Sequence, residues 1–336
     1  MTTYIVRRLL LMVPTLLGIT LVCFILIQFV PGGPVEEIIS RVRATSSARG
    51  ATAKTISAEE INNIKAYFGF DQPASVRYLR WLGNLLRGDL GKSYVYQQPV
   101  LQVIVSKFPV SIFFGLSSFI LSYLISIPLG VRKAMSHGGF FDMATSAVMF
   151  AGYVIPGYAL GILLIIFFAG GSYFDWFPIG NLVSENFETM GLAQKALDLG
   201  RHMVLPLTCY MVGEFAFLTL LMKNSMLDEI SKDYMRTALA KGLSFRQAVW
   251  RQAFRNGLIP IATGIGSVLA LLFTSALLIE RVFDLDGMGL LVYNSLLSRD
   301  YSVVLGVIVL ASFFTMLGRL VSDIIYVVID PRIRFE

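Results

Sequence analysis

The sequence has little charge and few of the residues from which metal or disulfide sites are built. Only 15% of its 336 residues are charged, whereas soluble domains carry about 25%. The two cysteines, Cys23 and Cys209, lie in apolar stretches, and the two histidines, His137 and His202, are far apart. This excludes a disulfide framework and a zinc site built on cysteine and histidine.

Sequence motifs of nucleotide hydrolysis and of hydrolytic enzymes are also lacking. Gly91-Lys92-Ser93 resembles the end of a P-loop, but Leu86 occupies the position of the first glycine of that motif. The net charge is +6, yet the Lys and Arg residues are spread among loops and do not form a nucleic-acid-binding stripe. We therefore expect a chain that is not an enzyme, binds no cofactor or metal itself and has no nucleic-acid partner.

Long apolar runs dominate what the sequence does contain. Hydrophobic residues make up 55% of the chain, and six windows reach the roughly 20 residues that a helix needs to cross a bilayer. The sequence thus predicts an all-α, multi-pass membrane protein that contacts the lipid bilayer. The predicted spans are Leu9–Val30, Phe108–Val131, Ala144–Phe168, His202–Met222, Leu258–Ile279 and Val303–Ile329.

The distribution of basic residues predicts the orientation of these spans. With both termini inside, the short inside segments hold thirteen Lys and Arg residues and the short outside segments hold four. Cytoplasmic loops carry an excess of Lys and Arg, so this orientation is favoured over its reverse. It places residues 31–107 outside and the 223–257 segment inside.

Prolines are expected to shape several spans. Pro109, Pro206 and Pro260 are predicted to lie in first helical turns, where no hydrogen bond is lost. Pro156-Gly157 lies in the middle of the third span and should kink or break it. The break could be a hinge or line a translocation path, or it could be a kink tolerated by neighbouring helices.

The large outside loop contains two predicted helices. Ser57-Ala58-Glu59-Glu60 is a capping box that opens a short helix. Residues Ser75–Arg87 have apolar side chains at helical spacing together with Tyr78 and Trp81, which predicts an amphipathic helix at the membrane surface. This helix could receive a soluble partner or simply cover the bundle.

The 223–257 segment predicts a bent pair of helices on the inside. Asp233 can cap a helix over residues 234–241, and Gly242 is placed to end it. Ser244-Phe245-Arg246-Gln247 is a capping box for a second helix that continues to about Phe254. Such a basic hairpin could dock to a cytosolic partner or rest on anionic lipid.

Three charged residues lie within the predicted spans, where charge is costly. Glu214 falls near the middle of the fourth span, where it could face a water-filled path or be a hydrogen-bonded carboxyl group between helices. Arg319 and Asp323 are four residues apart in the sixth span and can form a structural ion pair on one helix face.

Several motifs together resemble a known family. The chain resembles the B-type permeases of bacterial ABC importers for dipeptides and oligopeptides, and one loop is similar to a branch that imports oligopeptides and the peptide-nucleotide antibiotic microcin C. The motifs are Phe29–Pro34, Tyr67–Ser93, Asp233–Pro260, Ile279–Gly289, Ser298–Tyr301 and Asp330–Arg334, and the loop is Phe168–Phe187.

The resemblance implies a type I importer fold with a large first segment, residues 1–107, a transmembrane core, residues 108–330, and a cytoplasmic tail, residues 331–336. It implies a second homologous permease, ABC ATPase subunits that bind ATP and Mg²⁺, and a periplasmic peptide-binding protein as partners. The inside hairpin would be the coupling segment that docks to the ATPase. Its expected coupling residues are Tyr234, Arg236, Thr237, Ala238, Lys241, Gly242, Leu243 and Ser244.

The sequence departs from the family pattern at one position, and its residues also permit functions outside the family. The leading Glu of the family's Glu-Ala-Ala motif is replaced by Arg236, so a contact of that Glu with the ATPase is not expected here.

A proton-coupled secondary transporter could use Glu214, Arg319 and Asp323 as a relay, and a receptor or scaffold without transport is a third class. Dipeptides or nickel are alternative substrates within the family. The expected translocation-path residues are Glu214, Pro156 and Gly157.

Overall fold

The computed structural model describes residues 2–29, 71–171, 173–262, 264 and 277–329. Over these ranges the chain is mostly helical, and the only β pairing is an isolated antiparallel bridge between Lys92 and Pro99. The prediction of an all-α protein is confirmed. The predicted helix after Ser57, the Phe29–Pro34 motif from residue 30 onward and the Asp330–Arg334 motif lie outside the described residues.

The helices are numbered in chain order. The first six are α1 (Thr2–Phe29), α2 (Ala74–Leu86), α3 (Val100–Met135), α4 (Phe140–Val154), α5 (Gly157–Phe168) and α6 (Leu192–Ile230). The remaining helices are α7 (Asp233–Ala240), α8 (Phe245–Ala248), α9 (Phe254–Gly257), α10 (Ile259–Ala262), α11 (Leu277–Val282), α12 (Met288–Leu297) and α13 (Tyr301–Ile329). A π-helical turn, Val249–Ala253, joins α8 to α9, and Phe187–Thr189 forms a 3₁₀ turn.

The described helices form two compact units. One contains Pro109–Leu290 and the chain from Phe314 onward, and the other contains Thr2–Phe108 and Leu291–Phe313. In the second unit, α2 packs on α1: the rings of Tyr78 and Phe24 are 5.3 Å apart, and the Tyr78 and Thr20 hydroxyl groups are 3.0 Å apart. The helix predicted at Ser75–Arg87 is present as α2, and its place at the membrane surface stays a prediction.

Four single helices in the described residues are long and apolar enough to cross a membrane, and a bent pair makes a possible fifth span. The four are α1, α3, α6 and α13, and the pair is α4 with α5. Most of the predicted span Leu258–Ile279 lies outside the described residues. The count of six spans and the inside location of the termini therefore stay predictions.

The helix α6 is much longer than the apolar window that predicted it. Its 39 residues correspond to about 58 Å at 1.5 Å per residue, compared with about 30 Å for the bilayer core. The predicted positions of Pro206 and Pro109 in first turns are wrong, because both lie inside helices, α6 and α3. Hydropathy detects the apolar part of a helix and misses its polar ends. Pro260 does lie in the first turn of α10.

The predicted break at Pro156-Gly157 is confirmed. The axes of α4 and α5 differ by 102°, and Pro156 precedes the first residue of α5. A Cβ atom at Gly157 would lie 2.9 Å from the carbonyl oxygen of Cys209 in α6. The absence of a side chain therefore lets the broken helix approach the backbone of α6 closely.

Two apolar clusters organise the unit that contains α6. One joins α3 and α6 to the segment 234–261 and includes Met222, Met226 and Met235. The other joins α3 and α6 to the segment 279–285 and includes Phe114, Cys209 and Phe283. The helix α6 contributes to both clusters, so it connects the hairpin at its C-terminal end to the packed helices along its length.

Candidate coupling site

The hairpin, residues 233–257, has the predicted bend at Gly242 and the predicted capping box at Ser244. Gly242 has a φ of +87°, a conformation that glycine adopts without steric cost. The Ser244 hydroxyl accepts a hydrogen bond from the Gln247 amide, and the Gln247 side chain accepts one from the Ser244 amide. Local sequence therefore specifies both the end of α7 and the start of α8.

The predicted cap at the start of the hairpin is wrong by one residue. The residue before α7 is Lys232, which has no side-chain capping bond, and Asp233 is the first helical residue. The Asp233 carboxylate lies 3.4 Å from the Arg236 guanidinium in an exposed pair. An acidic residue in the first turn still interacts favourably with the helix dipole, which explains why this position can start the helix without capping it.

A polar clamp holds the hairpin to the end of α6. The Glu229 carboxylate accepts hydrogen bonds from Lys232 at 2.5 Å, from Tyr234 at 2.5 Å and from Asn256 at 3.3 Å. Burial and the Glu229 carboxylate raise the pKa of Tyr234 to about 12. The Tyr234 hydroxyl therefore remains a donor at neutral pH, and one carboxylate links α6, the start of α7 and α9.

Close packing supplies the second attachment of the hairpin to α6. A Cβ atom at Gly257 would lie 2.5 Å from the Met226 sulfur, and the Ser225 hydroxyl donates to the Gly257 carbonyl at 2.9 Å. The buried residues Met235, Ala238 and Val249 face the same cluster. The hairpin is thus fixed along both of its arms.

The predicted coupling residues divide into two groups by exposure. Ala238 is buried, and Tyr234 and Leu243 are half-buried, so these three support the hairpin from within. The exposed members are Arg236, Thr237, Lys241, Gly242 and Ser244. Exposed basic and apolar side chains accompany them on the hairpin, namely Arg246, Arg251, Arg255, Leu239, Phe245 and Trp250. This surface suits a partner with acidic groups and an apolar groove.

The predicted path residues are not brought together with the hairpin. Pro156 is exposed at the break, Gly157 is packed against α6, and Glu214 is half-buried in α6. Arg319 is exposed and Asp323 half-buried on α13. The roles of these residues and the ion pair between the last two stay predictions.

Sequence reasoning missed Glu229 and Asn256 as members of the clamp. Glu229 is one of three acidic residues in a segment with seven basic ones, which is a weak signal of pairing that does not identify the partners. In the part of the chain that the structure describes, no cluster of three His, Cys, Asp or Glu side chains could hold a metal ion.

Comparison with known proteins identifies the family. Residues 126–335 match the family described as binding-protein-dependent transport system inner membrane component, and residues 1–115 match the N-terminal family of the same components. The chain belongs to this family. It is therefore an inner-membrane permease subunit of an ABC importer, with a type I transmembrane domain, and a transport component rather than an enzyme.

Full-length relatives agree with this assignment. The chain is 42% identical to the peptidoglycan transport system permease protein YejB of Agrobacterium fabrum, covering 100% of this chain and 99% of the relative. It is 41% identical to the inner membrane ABC transporter permease protein YejB of Escherichia coli O157:H7 and 32% identical to the oligopeptide transport system permease protein AppB of Bacillus subtilis, each over the full length of both chains. The family favours the importer over the proton-coupled transporter and the receptor.

Proposed function

We propose that this permease imports peptides and peptide-containing compounds, including peptides released from peptidoglycan, by ATP-driven alternating access. The names of the relatives support this substrate class, because one is a peptidoglycan transport permease and another an oligopeptide transport permease. Microcin C, which combines a peptide with a nucleotide, falls within the same class. Dipeptides and nickel are the alternatives within the family.

The hairpin is the proposed docking site for the ATPase. The observation that carries this proposal is that the hairpin is fixed to α6 by the Glu229 clamp and the Met226–Gly257 contact. A force applied to its exposed surface would be transmitted to α6 instead of being absorbed by a loose loop. Arg236 and Lys241 would contact acidic groups of the partner, and Leu239 would enter an apolar groove.

The proposed assembly has three further components: a second homologous permease, ABC ATPase subunits and a periplasmic peptide-binding protein. ATP and Mg²⁺ would bind to the ATPase subunits. ATP binding would draw the hairpins of the two permeases together and favour the outward-open state, and hydrolysis would restore the inward-open state. Nucleotide shifts this equilibrium by binding one state more tightly than the other.

Copurification and uptake together test the proposal. The tagged chain is purified in mild detergent, reconstituted with its copurifying proteins, and supplied with a peptidoglycan-derived tripeptide, a linear L-amino-acid pentapeptide or Ni²⁺. We expect copurification of a second permease and a P-loop ATPase, with ATP-dependent uptake of the peptides. Peptide uptake driven by a proton gradient without ATP would contradict the importer mechanism, and uptake of Ni²⁺ alone would contradict the substrate class.

A further inference from the structure

Outside the hairpin, three helices meet at a buried group of charged side chains. This charged cluster consists of Lys133 in α3, Asp142 in the first turn of α4 and Lys223 in α6. The Asp142 carboxylate lies 3.1 Å from the Lys133 ammonium and 2.7 Å from the Lys223 ammonium. The three side chains are 1%, 6% and 12% exposed, for Lys133, Asp142 and Lys223 respectively.

The contacts of Lys133 are directed at the start of α4. Its ammonium donates to the Asp142 carbonyl at 2.9 Å, the Thr145 hydroxyl at 2.7 Å and the Ser146 hydroxyl at 2.8 Å. The Asp142 carboxylate also accepts from the Gly138 amide at 3.1 Å. The first turn of α4 is therefore tied to α3 by one lysine and to α6 by the other.

The charge balance makes these ties difficult to separate. One carboxylate lies between two buried ammonium groups, and the exposed His137 imidazole lies 3.5 Å from it. A buried charge that loses its partner without water is strongly unfavourable. Moving α4 away from α6 would leave Lys223 without this carboxylate, so the two helices are expected to move together.

The position of Lys223 connects this cluster to the coupling site. Lys223 precedes Glu229 by six residues, which is about 9 Å along a continuous helix. The last turns of α6 thus hold the hairpin through Glu229 and the broken helix through Lys223. Toward the N-terminus of α6, the Cys209 carbonyl lies so close to the break that a Cβ atom at Gly157 would meet it at 2.9 Å.

From this arrangement we infer that Asp142 is a positioning residue for transport: it joins α4 to α6 through Lys223, so that movement of the hairpin is delivered to the bend between α4 and α5. This inference rests on the proposed role of the hairpin in docking the ATPase. According to this inference, α4 and α5 are the transmembrane helices that move directly with the hairpin.

The decisive variant is Lys223→Met. It removes the tie between α4 and α6 but leaves the balanced pair of Lys133 and Asp142, so the protein is expected to fold. Asp142→Glu is the conservative variant, because it keeps the negative charge between Lys133 and Lys223. Asp198→Asn is the matched control, because Asp198 anchors the opposite end of α6 through Ser184 and lies 3.6 Å from His202.

Two measurements on the reconstituted importer separate positioning from general stability. The first is the amount of peptidoglycan-derived tripeptide, or of the pentapeptide if only that is taken up, transported per ATP hydrolysed. The second is the distance between spin labels at the exposed positions Val148 in α4 and Phe217 in α6, measured with and without ATP in a variant whose Cys23 and Cys209 are replaced by Ala.

We expect Lys223→Met to hydrolyse ATP while transport per ATP falls about tenfold, and the spin-label distances to broaden. Asp142→Glu, which keeps a carboxylate at this position, should retain more of the wild-type transport per ATP than Lys223→Met does, and Asp198→Asn should match the wild type in both readouts. An assembled Lys223→Met importer with the wild-type ratio and a narrow distance distribution would overturn the inference. If the wild type itself lacks ATP-driven uptake, the proposed function fails. Spin-label distances in Lys223→Met that equal those of the wild type would refute the connection between α4 and α6, whatever the outcome for uptake.

Discussion

The two ends of α6 are anchored in different ways. Near its N-terminus, Asp198 accepts bonds from the Ser184 amide at 3.0 Å and the Ser184 hydroxyl at 2.5 Å, which pins a preceding loop to the helix. Near its C-terminus, Lys223 and Glu229 tie α6 to α4 and to the hairpin. One end secures a loop to the helix, and the other joins α6 to α4 and the hairpin, which we propose move together, so similar polar networks can serve different purposes.

The largest expected effect comes from removing the carboxylate of the charged cluster. Asp142→Ala leaves two buried ammonium groups without an anion between them, a loss of about 3–5 kcal/mol in stability for a broken buried pair. Asp198→Ala removes hydrogen bonds from a loop and should cost about 1–3 kcal/mol. Thermal unfolding of the two purified variants compares them, and an equal decrease in midpoint would contradict the proposed difference between the two ends.

The next effect concerns the clamp. Glu229→Gln weakens the bonds with Lys232, Tyr234 and Asn256, and a hydrogen bond to a charged group contributes about 1.5–3 kcal/mol. We expect reduced transport per ATP with the permease still assembled. Glu188→Gln, in which the exposed Glu188 loses its pair with the partly buried Lys195, is the control and should leave transport unchanged. Wild-type coupling in Glu229→Gln would show that the clamp does not transmit movement.

Substitutions at two glycines distinguish the effect of backbone strain itself from the effect of strain in the hairpin. Gly242→Val forces a β-branched residue into a φ of +87°, which costs about 1–3 kcal/mol. Gly171→Val imposes comparable strain at a φ of +66° in a loop before α6, and both glycines have open space around them. Both variants should lose similar stability, but only Gly242→Val should uncouple ATP hydrolysis from uptake. Equal transport in the two assembled variants would refute the role of the bend.

The smallest effect on stability is expected at the exposed surface of the hairpin. Arg236→Gln removes an exposed pair with Asp233, and such pairs contribute little. Lys195→Gln, which removes another solvent-accessible pair, is its counterpart. Unfolding midpoints should stay close to that of the wild type in both, while Arg236→Gln alone should reduce the ATPase activity of the complex. A similar ATPase rate in the two variants would exclude Arg236 from the docking surface.

Local chemistry made the hairpin predictable. Gly242 and the Ser244 capping box act over a few residues, so they can be read from adjacent positions. Pro156 lacks the backbone N–H that a continuous helix needs, but Pro109 and Pro206 lie inside α3 and α6, so a proline alone does not show which helix breaks. The full length of α6 could not be predicted, because its polar ends fall outside the apolar window. The cap at Asp233 was misplaced because an acidic residue is also favourable in the first helical turn.

The charged cluster and the clamp depend on contacts between distant positions. In the sequence, Lys133 and Lys223 indicate only the orientation of the spans, since basic residues beside a span predict the inside. Nothing in the spacing of Asp142 and Lys223, 81 residues apart, indicates that they meet. Glu229 and Asn256 are similarly separated by 27 residues. Their meeting follows from the packing of α4 and the hairpin on α6.

Cross-linking from the hairpin tests the central claim most directly. A photoreactive amino acid at Leu239, which is 41% exposed on the hairpin, is compared with one at Leu197, which is 62% exposed near the other end of α6. In the assembled importer, Leu239 should cross-link to the ATPase subunit, with a yield that changes on addition of ATP, and Leu197 should not. Cross-links from Leu239 to lipid alone, in a complex that contains the ATPase and transports peptide, would contradict docking through the hairpin.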